Sequence, residues 1–131
     1  MKMNHNNILL IDDDADDRLI FIDALDEIAA GIECATAKNG LEAIEYLKSA
    51  IAIPSLIFLD LNMPLMNGFQ CLEKIKKDER LKHLPVVVYT TSDNPVDKKR
   101  SKESGAEMFF TKTPDFKLLK DTLLRILKTY F

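Results

Sequence analysis

The sequence is poor in cysteine, and the two cysteines that it contains are not arranged as a chemical site. Cys34 and Cys71 stand far apart in a chain of 131 residues, with no Cys-x-x-Cys pair and no histidine at a matching spacing. Zinc sites and redox dithiols both require such clusters. Neither kind of site is therefore indicated, and we expect two free thiols.

Long apolar segments and an excess of positive charge are also missing. No stretch approaches the roughly 18 apolar residues that a membrane-spanning helix requires, and Met1 to Asn7 carry no apolar signal core. We therefore predict a cytoplasmic protein without a membrane partner. The formal net charge of -3 and the pI near 5.4 provide no basic surface for a phosphate backbone, so nucleic-acid binding is disfavoured.

What the sequence does contain is typical of one globular domain, which we assign to residues 1–131. Apolar residues make up 47% of the chain and charged residues 30%, an ordinary balance for one core. Four short apolar runs lack polar alternation, which predicts strands buried on both faces of a parallel sheet. These runs are Ile8 to Ile11, Leu56 to Leu59, Val86 to Tyr89 and Met108 to Phe110, and a fifth, weaker one is Ile32 to Ala37.

Helical patterns fill the intervals between these runs. The first follows Asp14, and capping of this helix explains Asp14, Asp16 and Asp17. Its predicted buried stripe consists of Ile20, Phe21, Ala24, Leu25 and Ile28. Two further helices are predicted, from about Leu41 to Lys48 and from Phe69 through Ile75.

The last two helices differ in how firmly the sequence anchors them. Between Pro95 and Ser104, Val96 is almost the only apolar residue, which predicts a weakly held surface helix that shifts at small cost. The final helix has a clear apolar repeat, and Thr113 and Pro114 predict its N-cap and first residue. The repeat consists of Leu119, Leu123, Ile126, Leu127 and Tyr130.

Strand and helix thus alternate five times, which predicts an α/β fold with a parallel sheet, right-handed crossovers and helices on both faces. Functional sites in such sheets form at the carboxyl ends of the strands. Asp12 and Asp13 come directly after the first strand, and Asp60 comes directly after the third. Converging carboxylates repel one another unless a cation offsets their charge, and hard oxygen ligands favour Mg²⁺.

The fourth and fifth strands end in a hydroxyl and an ammonium group, Thr90 and Lys112. Phosphoryl transfer depends mainly on positioning and on charge stabilisation by a metal, a cation and hydrogen-bond donors. The acidic pair, Asp60, Thr90 and Lys112 together form a set suited to that chemistry.

On these residues the chain resembles the receiver domain of response regulators in two-component signalling, in particular a chemotaxis-regulator-like single-domain receiver. The matching segments are Ile11 to Asp13, Leu59 to Gly68 and Pro85 to Thr90, together with Lys112. The resemblance covers essentially the whole chain. It implies a flavodoxin-like (βα)5 fold with five parallel strands in the order 2-1-3-4-5.

The resemblance also implies roles for the residues at the strand ends. Asp60 would be the nucleophile that takes a phosphoryl group from the phosphohistidine of a sensor kinase or phosphotransfer protein. Asp13 would ligate Mg²⁺ directly, Asp12 directly or through water, and Asp60 and the backbone carbonyl of Asn62 would complete the protein ligands. Lys112 would pair with the phosphoryl oxygens.

Two further positions would carry the signal. Thr90 would donate its hydroxyl to the phosphoryl group, and Phe109 stands where the family carries an aromatic switch. Plain core packing is the simpler explanation of Phe109 when the resemblance is set aside. Leu19 and Ile22, which lie off the main stripe of the first helix, would form an apolar patch for docking on the kinase.

By this resemblance the chain is a phosphoacceptor signalling domain, not an enzyme with a separate substrate, and it catalyses only its own phosphorylation and dephosphorylation. The last predicted helix continues to Phe131, and we expect no output domain within residues 1–131. We therefore expect output through contact with a downstream protein. Formation of a homodimer is a second possibility. The expected contact surface combines the weakly anchored fourth helix, the fifth strand and the last helix.

The match departs from the family after Lys112, where Thr113 stands in place of the usual proline. The geometry that the proline would confer is therefore not carried over. Three alternatives stay open. The first is a phosphatase of the haloacid-dehalogenase type, with Asp12 and Asp14 as its Asp-x-Asp pair. The second is a flavodoxin-like FMN carrier, which is disfavoured because aspartates fill the phosphate loop, and the third is a receiver that binds partners without phosphorylation.

Overall fold

The computed structural model describes residues 7–50 and 53–131, which form five strands and five helices in strict alternation. The strands are β1 (Asn7–Ile11), β2 (Glu33–Ala37), β3 (Leu56–Leu59), β4 (Val86–Thr90) and β5 (Met108–Thr111). The helices are α1 (Ala15–Ile28), α2 (Gly40–Ser49), α3 (Gly68–Lys77), α4 (Pro95–Glu103) and α5 (Phe116–Tyr130).

All five strands are parallel and lie in the order β2-β1-β3-β4-β5, so the predicted fold class and strand order are confirmed. The order reverses beside β1, because β1 pairs with β2 on one side and with β3 on the other. Ile11 lies opposite Leu59 in this register, which places the residues that follow β1 and β3 next to each other. The predicted site edge is therefore formed as the sequence suggested.

Side chains of the central strands alternate between two separate cores. Leu9 and Ile11 face a core built with α2 and α3, whereas Ile8 and Leu10 face a core built with α1 and α5. Because both faces of these strands are buried, both sets of alternating positions are apolar. The second core contains an aromatic cluster of Phe21, Phe58, Tyr89 and Phe110.

An asparagine or aspartate side chain caps each of the five helices. Asp14 caps α1, as predicted, by accepting hydrogen bonds from two backbone N–H groups of the first turn. The predicted cap of α5 is wrong. Asp115 is the N-cap and accepts a hydrogen bond from the Leu118 N–H, while Thr113 Oγ1 accepts one from the Asp115 N–H. Thr113 thus stabilises the turn before the helix.

The predicted stripe of α1 needs one correction. Phe21, Ala24 and Leu25 are buried, but Ile20 is 44% exposed and Leu19 is 61% exposed. The remaining off-stripe residue, Ile22, is half-buried. Ile20 lies at the margin of the buried face of α1. Like Leu19, it is largely exposed to solvent.

Helix α4 is anchored as weakly as the sequence predicted. Ser101 is its one buried residue, and Val96 is 69% exposed. The Arg100 guanidinium lies 3.9 Å from the ring centroid of Phe69 and links α4 to α3. None of the helices in the described ranges is long and apolar enough to span a membrane.

Candidate phosphoryl-acceptor site

Two aspartates occupy adjacent strand ends at the point where the strand order reverses. Asp12 follows β1 and its N–H donates to the Ala37 carbonyl at 3.0 Å. Asp60 follows β3 and its N–H donates to the Ile11 carbonyl at 2.9 Å. The sheet hydrogen bonding therefore continues through both residues and fixes where their side chains begin.

Asp12, Asp13 and Asp60 bring their carboxylates together. One oxygen of each lies within 4.8 Å of the others. Asp12 is 1% exposed and Asp60 is 5% exposed, whereas Asp13 is exposed. Two of these three like charges are thus removed from water, which is costly unless a cation or proton compensates.

A divalent cation fits this cluster. Asp12 Oδ2 is fully buried and receives no hydrogen bond of suitable angle from the described residues, although Lys112 Nζ lies 2.7 Å away. Burial raises the pKa of the Asp12 carboxyl, and the nearby Lys112 ammonium offsets part of that rise. A buried carboxylate oxygen with an unused lone pair, beside two more carboxylates, is a donor set for Mg²⁺ or a similar hard cation.

Lys112 is surrounded by carboxylates. Its Nζ lies 2.7 Å from Asp12 Oδ2, 2.7 Å from Asp17 Oδ2 and 3.4 Å from Asp60 Oδ2. Burial alone would lower the pKa of Lys112, but its contacts with Asp12 and Asp17 and the charge of Asp60 raise the pKa above its ordinary value. The side chain is therefore a fixed cation beside Asp60.

Asp17 is the site residue that the sequence analysis missed. Capping was sufficient to explain all of the early acids of α1, and it does explain Asp14. Asp16 is exposed, whereas the carboxylate of Asp17 bonds to Lys112 across the site. The sequence did offer a sign of this role, because three aspartates stand where one N-cap is needed. Asp14 alone caps the helix, so Asp17 is not needed for capping.

Thr90 and Lys112 are joined through the backbone. Thr90 is the last residue of β4 and is fully buried, and its carbonyl accepts a hydrogen bond from the Lys112 N–H at 2.6 Å. Thr90 Oγ1 lies 3.5 Å from the Ser92 N–H, a weak hydrogen bond that leaves the hydroxyl free to donate. Phe109 is half-buried and packs against the core on the α2 and α3 side.

Asn62 borders the open side of the cluster. Its N–H donates to Asp60 Oδ1 at 3.2 Å, and its own side chain is exposed. A cleft of about 570 Å³ lies here, and its lining includes Asp13, Asn62, Phe69, Asp97 and Arg100. The cleft thus opens beside Asp13 of the acidic cluster and carries an arginine on its α4 side.

The chain is similar in sequence to known proteins. The family model described as the response regulator receiver domain matches residues 8–124. The sensor histidine kinase CheAY of Helicobacter pylori is 34% identical over 121 residues, which cover 92% of this chain but 15% of that protein. The chain is thus similar to one segment of that larger kinase.

Solved structures agree in fold. The phosphorylated cyanobacterial phytochrome response regulator RcpA is 32% identical, with a TM-score of 0.89 over 97% of this chain and 94% of that one. The Mn²⁺-bound response regulator Rcp1 is also 32% identical, with a TM-score of 0.82 over 92% of this chain and 91% of that one. The family match, the strand order and the acidic cluster agree, and the chain belongs to the response regulator receiver domain family of two-component systems.

Proposed function

We propose that the carboxylate of Asp60 accepts a phosphoryl group from a phosphohistidine of a sensor histidine kinase or histidine phosphotransfer protein. An Asp60 oxygen attacks phosphorus, an O–P bond forms, and the P–N bond to the imidazole breaks. The imidazole leaves with a proton, and Asp60 becomes an acyl phosphate. The observation that carries the proposal is the convergence of Asp60 with a buried lysine and an acidic cation site.

Each neighbouring residue has a defined task in this reaction. Asp12, Asp13, Asp60 and the backbone carbonyl of Asn62 would hold Mg²⁺, which when bound supplies positive charge to the phosphoryl oxygens. Lys112 contributes a second, permanent positive charge beside Asp60. These groups stabilise a transition state in which charge spreads over the transferred oxygens.

The negative charge of the acyl phosphate on Asp60 would cause the conformational change that transmits the signal. The acyl phosphate gives the buried Thr90 hydroxyl an acceptor, and movement of Thr90 is passed to the loop that leads into α4. Because Ser101 is the one buried residue of α4, this helix shifts at small cost. We propose that α4, β5 and α5 contact a downstream protein or a second copy of the chain, with Phe109 following the shift.

Intact mass spectrometry tests the acceptor function. The chain is incubated with acetyl phosphate and Mg²⁺, beside Asp60→Asn and beside a sample with the divalent cation chelated. We expect one phosphate on the natural chain and none in the two controls. Continuous release of phosphate without an adduct would favour a hydrolase instead. An absent adduct, where a control receiver is labelled in parallel, would contradict chemical phosphorylation of this site.

A further inference from the structure

Asp17 contacts Lys112 more closely than the acceptor aspartate does. Asp17 Oδ2 lies 2.7 Å from Nζ, against 3.4 Å for Asp60 Oδ2. The Lys112 side chain is 9% exposed and that of Asp17 is 30% exposed. The pair therefore lies at the rim of the site, with the ammonium group turned inward.

The first turn of α1 is held in place without using the Asp17 carboxylate. Asp14 Oδ1 accepts hydrogen bonds from the Asp16 N–H at 2.9 Å and from the Asp17 N–H at 3.1 Å. Arg18 Nη1 donates to the Asp12 carbonyl at 2.7 Å and ties the same turn to the end of β1. The position of Asp17 is thus fixed by its neighbours, and its carboxylate is available for Lys112.

The three carboxylates around Lys112 differ in their other contacts. Asp12 and Asp60 belong to the acidic cluster with Asp13, whereas Asp17 lies outside it. A cation held by that cluster would draw on the negative charge of Asp12 and Asp60 and would weaken them as partners of the ammonium group. Among these three carboxylates, Asp17 is the one that serves Lys112 alone.

Resting on the function proposed above, we propose that Asp17 is a positioning residue that holds the Lys112 ammonium with one N–H directed at the place where phosphoryl oxygens arrive. An ammonium group has three N–H donors: Asp17 and Asp60 accept one each, and Asp12 Oδ2 also lies 2.7 Å from Nζ. A cation that took up the charge of Asp12 and Asp60 would leave donors available to the phosphoryl oxygens, while Asp17 keeps its own contact. The ring centroid of Tyr89 lies 5.5 Å from Nζ and limits movement on another side.

Phosphorylation rates measure this role. Asp17→Ala removes both the charge and the acceptor, whereas Asp17→Asn keeps a neutral acceptor oxygen that binds an ammonium group more weakly. With saturating Mg²⁺ and acetyl phosphate, we expect roughly fivefold slower formation of the acyl phosphate in Asp17→Ala, and a smaller loss in Asp17→Asn, because the lost contact is charged but partly exposed.

Asp16→Ala is the matched control. It removes a carboxylate from the same helix turn and so causes the same loss of interaction with the helix dipole, but Asp16 is exposed and is not a contact of Lys112. We expect its rate to equal that of the natural chain. Equal or faster phosphorylation in both Asp17 variants would overturn the inference, because Asp17 would then be a competing charge or a bystander.

The ammonium signal of Lys112 gives a readout that does not depend on phosphorylation. In ¹⁵N-labelled protein, a buried and hydrogen-bonded ammonium group exchanges slowly enough to be observed, and Lys112→Arg assigns the signal. We expect Asp17→Ala to broaden or remove it and Asp16→Ala to preserve it. An unchanged signal in folded Asp17→Ala would overturn the inference, whereas a natural chain that is never phosphorylated would instead count against the proposed function.

Discussion

Gly68 lies directly against the backbone of Asp60. A Cβ atom at Gly68 would collide with the Asp60 carbonyl oxygen and would lie 2.6 Å from the Cα atom of Leu61. The Gly68 N–H also donates to the Leu61 carbonyl at 2.9 Å. The start of α3 therefore supports the segment that carries Asp60, and only hydrogen fits at this position.

Gly68→Ala tests this support. Because the obstacles are backbone atoms, we expect the free energy of unfolding to fall by about 1–3 kcal/mol, as for other overpacked sites. Denaturant unfolding measures it. Gly31→Ala is the matched control, since a Cβ atom there meets nothing within 4 Å, and it should stay within about 0.5 kcal/mol of the natural chain. Equal stability of the two variants would contradict the close approach.

Asp13→Asn should separate metal binding from stability. Removal of one of three neighbouring like charges relieves repulsion, so the melting temperature in EDTA should rise. The same change replaces a proposed carboxylate ligand by a neutral amide, which binds a divalent cation more weakly. The further rise on adding Mg²⁺ should therefore shrink, because binding stabilises the folded state by mass action. Thermal unfolding with EDTA and with Mg²⁺ measures both.

Asp16→Asn is the control for this test, because Asp16 is exposed and lies outside the acidic cluster. It should retain the full effect of Mg²⁺. A full Mg²⁺ effect in Asp13→Asn as well would remove Asp13 from the proposed ligands.

Thr90 should be needed for the signal more than for the chemistry. We expect Thr90→Ala and Thr90→Ser both to accept a phosphoryl group, because Lys112 and the acidic cluster are retained. Only Thr90→Ser keeps a buried hydroxyl that can bond to the phosphoryl group. Hydrogen exchange of Pro95–Glu103 should therefore change on phosphorylation in Thr90→Ser and stay constant in Thr90→Ala. The same change in both variants would contradict a switch through Thr90.

The sequence was most informative for residues whose position is set by the strand that they follow. Continuous apolar runs identified β1, β3 and β4, because strands that are covered on both faces need apolar side chains at every position. Burial on both faces was a wrong prediction for the edge strand β5, where Met108 is 40% exposed and Phe109 and Phe110 are half-buried. The residues that follow those strands must then meet at one edge of the sheet. Asp12, Asp13, Asp60 and Lys112 were found in this way, and the structure brings all four together.

The sequence was less informative where two explanations fit one residue. Asp17 was assigned to capping, which its position allows, but its side chain bonds to a lysine 95 residues away. Thr113 and Pro114 resemble a helix start, yet Asp115 provides the cap. Ile20 fits the apolar repeat of α1 but stands at its exposed margin. The contact of Asp17 with Lys112 is tertiary and the cap of α5 is local, and in both cases the sequence pattern alone leaves the alternatives equal.

The two free cysteines should be unreactive in the folded protein. Burial raises the pKa of the Cys34 and Cys71 thiols to about 12. At pH 8 about one thiol in ten thousand is then the reactive thiolate. Mass spectrometry after iodoacetamide treatment should show slow alkylation of the folded chain and rapid double alkylation in guanidinium chloride. Rapid alkylation of folded Cys71 would contradict its burial.

The most direct test of the account locates the phosphoryl group within the chain. The protein is phosphorylated with acetyl phosphate and Mg²⁺ and treated with borohydride, which reduces an acyl phosphate to an alcohol and releases phosphate. Digestion and mass spectrometry then identify the reduced residue. We predict that Asp60 is converted to homoserine while Asp12, Asp13 and Asp17 stay intact. Reduction at another aspartate, or phosphate that resists borohydride on a hydroxyl side chain, would contradict Asp60 as the acceptor.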